Sequence, residues 1–242
     1  MSPPQLRHGP HLTCKSNREF REISFDDSFQ IGNFNAFDFF GDGSFYLLDT
    51  PGHAIGHMCG LVRTTPSTFV FLGGDMCHFG GSFRPSLTIP LPDPIPSLHL
   101  DDYFPQPCPC SIFTDVHPAG SDSEKSKTSP FFEVTSFTQS AYLDRVQAAE
   151  SIKKLQVFDE HPDVLVCIAH DPTLLNILPF LNDQPKKDLN DWKAKGLKEK
   201  AQWGWLNELP RDRKPGRPML VEGVWKEGEL VKDFTSLMAT IY

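Results

Sequence analysis

No stretch of this 242-residue chain approaches eighteen consecutive apolar residues, which excludes a membrane-crossing helix. Positive charge is scarce as well, with 23 Lys and Arg against 31 Asp and Glu, a formal net charge of −8. A general nucleic-acid binder needs a basic face to release counterions from phosphate, so that class of partner is excluded. The first twenty residues, "MSPPQLRHGPHLTCKSNREF", lack the apolar segment of a secretory signal. The six cysteines lack a disulfide-scaffold spacing, and Cys108-Pro-Cys110 has no second pair to complete a thiolate metal site. Reduced thiols in a cytoplasmic protein are therefore expected.

What is present favours one folded domain. Hydrophobic residues make up 39% of the chain and include 20 phenylalanines, enough to fill a core at this length. Residues 1–19 have no periodicity and are expected to form an irregular leader, with a single α/β domain over 20–242. From Phe20 the pattern is β: "FREISF", "FNAFDFF", "SFYLLD", "CGLVR" and "TFVFLG" are short aromatic and branched runs. Gly41-Asp42-Gly43 and Thr65-Pro66-Ser67 are predicted turns between them.

Residues 85–109 hold eight prolines, which rules out regular ladders and predicts a surface loop. Residues 119–130, "AGSDSEKSKTSP", predict a second, polar loop. A helix is expected from Asp144, a good N-cap, with Ala149, Ile152, Leu155 and Phe158 facing a core. "VLVCIA" reads as a strand buried on both faces. A further amphipathic helix is expected over 185–203, carrying Leu189 and Trp192, and a hairpin around Lys226-Glu227-Gly228.

The chemistry gathers around "LLDTPGHAIGHMCGLV" and the "FLGGD" that follows it. If strands 58–64 and 68–73 pair through the turn at 65–67, His53 or His57 and Asp75 share one sheet edge. His170, at the end of "VLVCIA", reaches that edge if its strand is a neighbour. Two imidazoles and a carboxylate on braced loops make a partial shell for zinc. Each residue alone has a plainer reading. Asp75 after Gly-Gly suits a turn, and His170-Asp171-Pro172 suits a helix start capped by Asp171. His117 is expected in a hydrogen-bonded or surface role, while Tyr103 and Phe104 of the proline-rich segment are candidates to line a substrate cleft.

"DTPGHAIGH", "FLGGD" and "VCIAHD", in that order, resemble the metallo-β-lactamase superfamily, and within it the lactonase-like hydrolases common in fungi. The resemblance runs from residue 20 to roughly residue 230. It implies an αββα sandwich with one or two zinc ions at the shared edge of its sheets. It assigns His53 to the first zinc, Asp75 to the catalytic carboxylate bridging both, and His170 to the second. His57 matches a motif histidine that shapes the loop and contacts substrate. The family's H-x-H-x-D-H string is missing, since only His8 and His11 precede His53. The implied domain is thus N-terminally incomplete and holds one weakly bound zinc at most, with its ligands too widely divided for normal bonds. An exposed sheet would then invite a homo-oligomer. The expected activity is metal-dependent hydrolysis of a small-molecule lactone, ester or thioester, impaired by the lost ligands. The alternative is a non-catalytic remnant or protein-binding pseudo-enzyme.

Overall fold

The computed structural model describes residues 22–120, 123–135, 140–209, 223–226 and 229–233. One six-stranded sheet runs in sequential order through β1 (Gln30–Ile31), β2 (Phe34–Asp38), β3 (Phe45–Asp49), β4 (Met58–Arg63), β5 (Phe69–Gly74) and β6 (Val164–Ile168). Neighbours are antiparallel up to β5, and β6 pairs with β5 in parallel. Among the described residues five helices accompany it: α1 (Ser111–Thr114), α2 (Ser123–Thr128), α3 (Arg145–Glu160), α4 (Thr173–Ile177) and α5 (Leu197–Ala201). Strands β7 (Gly223–Lys226) and β8 (Glu229–Asp233) form a separate antiparallel pair where the C-terminal hairpin was expected. Its tip at 227–228 lies outside the described residues, as do residues 1–19.

Local chemistry sets the register. Between β2 and β3, Gly41 and Gly43 both take φ +75°, and the Asp38 carboxylate accepts both of their N–H groups. Between β4 and β5, the hydroxyls of Thr64 and Thr65 close on that of Thr68 at 2.9 and 2.6 Å. Alternation then sends Leu48, Cys59, Leu61 and Phe71 to one face of the sheet, where they are buried.

Helix α3 covers that face. Asp144 caps it by accepting the N–H groups of Val146 and Gln147, each at 3.0 Å. Ile152, Leu155 and Phe158 pack into the core as expected. Ala148 is buried in place of Ala149, because the helix presses its first turn against the loop after β3. Trp192 and Leu197 cover Val70 and Leu165 on the other face, while Phe40, Met58 and Leu72 remain exposed.

Several local expectations fail for tertiary reasons. Among residues 22–26, "FREISF" forms no strand; Asp26 instead accepts the Ser28 N–H in a tight turn. The polar stretch 119–130 contains α2, anchored by the Leu91 N–H on the Lys127 carbonyl at 2.8 Å. The proline-rich segment is not simply surface: Leu91, Ile95, Phe104 and Cys108 are buried in a second core with Trp203 and Trp205. Residues 185–203 yield only α5, because Gly196 adopts φ +62° and Asp188 folds an Asx turn onto Asn190. Trp192 is fully buried, its indole N–H donating to Thr64 Oγ1 at 3.2 Å. Among the described residues no helix is long and apolar enough to cross a membrane.

Candidate metal centre

The strand directions bring four chain segments to one end of the sheet. β3 ends there, β4 begins there, and both parallel strands β5 and β6 finish there. The carboxyl ends of parallel strands are where open α/β sheets bind ligands. The Ala169 N–H donates to the Gly74 carbonyl at 3.0 Å, so Asp75 and His170 each stand one residue past a shared rung.

The Thr50-Pro51-Gly52-His53 loop owes its shape to Gly52. Its φ is +129°, and a Cβ there would lie 2.3 Å from the backbone nitrogen of Ala148. Only glycine permits this approach to α3. The contact is fastened by the Asp144 N–H on the Gly52 carbonyl (2.9 Å), the Leu143 N–H on the His53 carbonyl (3.0 Å) and Ser151 Oγ on the Pro51 carbonyl (2.8 Å). His53 is thereby carried by a loop clamped to a helix.

After β5, Met76 and Cys77 are buried at 1% and 0% exposure, anchoring the turn from below. Asp75 and His78 are left on its open side. Asp75 Oδ1 lies 2.9 Å from His170 Nε2, and Asp75 Oδ2 lies 3.7 Å from His53 Nε2. Asp75, His78 and His170 each offer a ligand atom within 4.8 Å of the others. The His78 ring centre stands 5.1 Å from that of His53 and 5.0 Å from that of His170. The three sequence-predicted donors are thus brought together, and a fourth joins them. His78 had a readable signal, a histidine three residues past Asp75 in the same turn, but it fits no standard ligand spacing.

The donor chemistry fits a divalent cation that takes nitrogen and oxygen. Ligands bound at 2.0–2.1 Å in a tetrahedron are roughly 3.3 Å apart, and the 2.9 and 3.7 Å separations bracket that value. The two contacts use different oxygens of Asp75, Oδ1 toward His170 and Oδ2 toward His53. Nδ1 of His53 is buried without a hydrogen-bond partner among the described residues, an arrangement that costs free energy. Burial, and then the neighbouring His170 and His53, hold the His78 pKa below its usual value. Burial does the same for His57. Neutral imidazole is the form that binds metal. The nearby thiols are of the opposite kind, since burial pushes Cys77 up to about 11 and Cys59 up to about 12.

The remaining candidates occupy other roles. His57 Nδ1 meets Thr50 Oγ1 at 2.9 Å, bridging the two ends of the loop. Tyr103 is 61% exposed, whereas Phe104 packs against Phe113 in the second core. His117 is buried, with Nε2 facing the Ser129 and Pro130 carbonyls at 3.1 Å and Nδ1 accepting from the Ala119 N–H. Asp171 accepts the Thr173 N–H at 2.9 Å at the start of α4. Beside the cluster lies a cavity of about 440 Å³ whose walls include Gly74, Ala169, Leu72, Leu175, Leu178 and Phe180.

Known proteins place this arrangement. The chain is 39% identical over 194 residues to the metallo-hydrolase mfmC of Annulohypoxylon moriforme, covering 79% of this chain and 47% of that protein. It is 40% identical over 201 residues to the γ-lactamase FDB1 of Fusarium pseudograminearum (strain CS3096), covering 81% and 46%. To the γ-lactamase MBL2 of Gibberella moniliformis (strain M3125 / FGSC 7600) it is 44% identical over 147 residues, 59% of each. The chain spans about half the length of the curated relatives it matches. No protein-family model matches it, and no solved structure does. With the TPGH turn, the Gly-Gly-Asp strand end and His170 at one sheet edge, and with these relatives, the chain belongs to the metallo-β-lactamase-like lactonase family.

Proposed function

We propose that this protein is a metal-dependent hydrolase that opens a cyclic amide or ester, a γ-lactam or lactone, with zinc as its metal. The observation that carries the reading is the convergence of His53, Asp75 and His170 from three separate loops at one sheet edge. The names of the relatives, metallo-hydrolase and γ-lactamase, support the same reaction class. The six-stranded sheet with α3 on one face is consistent with the α/β fold that the family resemblance implies.

His53, Asp75 and His170 would hold the ion, which when bound supplies an activated water and polarises the carbonyl under attack. Asp75, 43% exposed in its side chain, is open enough for a small substrate to approach, and its carboxylate would hold the ion between His53 and His170. His57, tied to Thr50, keeps the loop that carries His53 from shifting. The apolar walls of the 440 Å³ cavity favour a substrate with a hydrophobic ring or chain beside its reactive bond.

The test is hydrolysis of a panel of γ-lactams, γ-lactones and thioesters, with and without a chelator. Activity that the chelator removes, that zinc restores, and that falls at least about 100-fold in Asp75→Asn supports the reading. A zinc-loaded protein that turns over none of them favours the non-catalytic alternative.

A further inference from the structure

Resting on that metal-dependent reading, we propose that His78 is itself a ligand of the ion and that Tyr142 is the residue that positions it. Asp75 and His78 leave the same turn, whose two intervening side chains are buried. That anchoring fixes the imidazole at the rim, and one of its nitrogens falls within 4.8 Å of the donors of Asp75 and His170.

Tyr142 supplies the orientation. Its hydroxyl lies 2.9 Å from His78 Nδ1, which leaves Nε2 as the nitrogen for the ion. Among the described residues His78 has no other hydrogen-bond partner. Ligand imidazoles are commonly held this way, with the second nitrogen engaged by an oxygen that fixes ring and tautomer. The phenol is placed with care. Its ring meets His53 edge to face at 6.1 Å and 90°, and its neighbour Leu143 donates to the His53 carbonyl at 3.0 Å. The segment that carries Tyr142 is therefore fastened to the loop that carries His53, so one residue braces two imidazoles. A histidine that only filled space would have its second nitrogen pointed at a protein acceptor or at solvent. His78 instead lies tilted against both His53 and His170, centre to centre at 5.1 and 5.0 Å.

Asp75, His78 and His170 then form one compact donor group, with His53 beside it.

Cobalt titration of the full chain, followed by visible absorption and circular dichroism, tests the assignment. The expected result is one cobalt per chain with the intense visible band of a four-coordinate site. His78→Gln should weaken binding by about 100-fold or more and reduce that band. Tyr142→Phe should keep the stoichiometry, weaken binding roughly 10-fold and shift the band, with an unchanged far-ultraviolet dichroism spectrum. If His78→Gln folds poorly, shifted imidazole N–H resonances in the cobalt-loaded wild type count the ligands directly. Three such signals support the assignment and two overturn it. Unaltered affinity and spectrum in a folded His78→Gln overturn it too, leaving the metal-dependent reading standing. A wild type that takes up no cobalt sinks both.

Discussion

Leu48 and Phe71 in the sheet are no better hidden than Cys108 and Leu206 in the proline-rich lobe, all four at 0% exposure. The two regions reach that burial by different routes. In the sheet, backbone polar groups are satisfied by ladder hydrogen bonds, so almost any alternating apolar sequence will do. In the lobe, single side chains do that work. Asn207 donates to the His99 and Gly204 carbonyls at 2.6 and 2.9 Å and accepts the Asp101 N–H at 2.8 Å. At the boundary with the sheet, Lys198 reaches three carbonyls, those of Asp159, His161 and Val164, while burial brings its pKa down to about 8. Arg84 forks onto Asp159 of α3 and also meets the Gln202 carbonyl at 3.2 Å. The sheet is thus redundant and the lobe is not, and the joint between them is a buried ion pair.

That contrast can be broken most forcefully at the joint. Asp159→Ala leaves the Arg84 guanidinium buried without its partner, both being about 4% exposed. A loss of about 3–5 kcal/mol in unfolding free energy is expected from urea denaturation. A loss below about 1 kcal/mol would mean that the lobe does not depend on its anchors.

The second probe uses pH. Burial brings the His99 pKa down to about 4, against about 6.5 in the unfolded chain. Folded His99 therefore stays neutral where the unfolded imidazole takes up a proton. Its stability contribution is complete above pH 6.5 and drains away as pH falls from 6.5 toward 4. The loss should reach about 2–3 kcal/mol, less what partial solvation screens. Urea midpoints measured at pH 7 and pH 5 should converge in His99→Gln, and equal slopes in both proteins would show that the imidazole is solvated.

The smallest effect is expected on the redundant side. Asp144→Ala removes the cap of α3, which accepts two N–H groups at 3.0 Å, and should cost about 1 kcal/mol. The helix stays because Ile152, Leu155 and Phe158 hold it to the sheet, so far-ultraviolet dichroism should be unchanged.

The same contrast explains what could be read in advance. β2 to β6, the glycine and threonine turns and the α3 cap follow from patterns a few residues long, and the structure places them where those patterns point. Residues 119–130 and 185–203 depart from their local patterns because their conformation is set at a distance. Lys127 is held by Leu91, and Trp192 by Thr64. Ala148 replaces Ala149 in the core for a similar reason, since the bare Cα of Gly52 is what α3 rests on.

At the candidate metal centre the division is equally physical. Sequence by itself supplied the donor types and the glycines, and a hairpin of β4 and β5 puts His53 and Asp75 at one edge; the parallel pairing of β6 with β5 is what brings His170 there. Tertiary structure alone decided that His78 joins them. Its place depends on Met76 and Cys77 sinking into the core and on Tyr142 arriving from 64 residues away. A hydrogen bond across that span leaves no periodicity in the chain, because its two ends share no element and meet only when the sheet and α3 have packed.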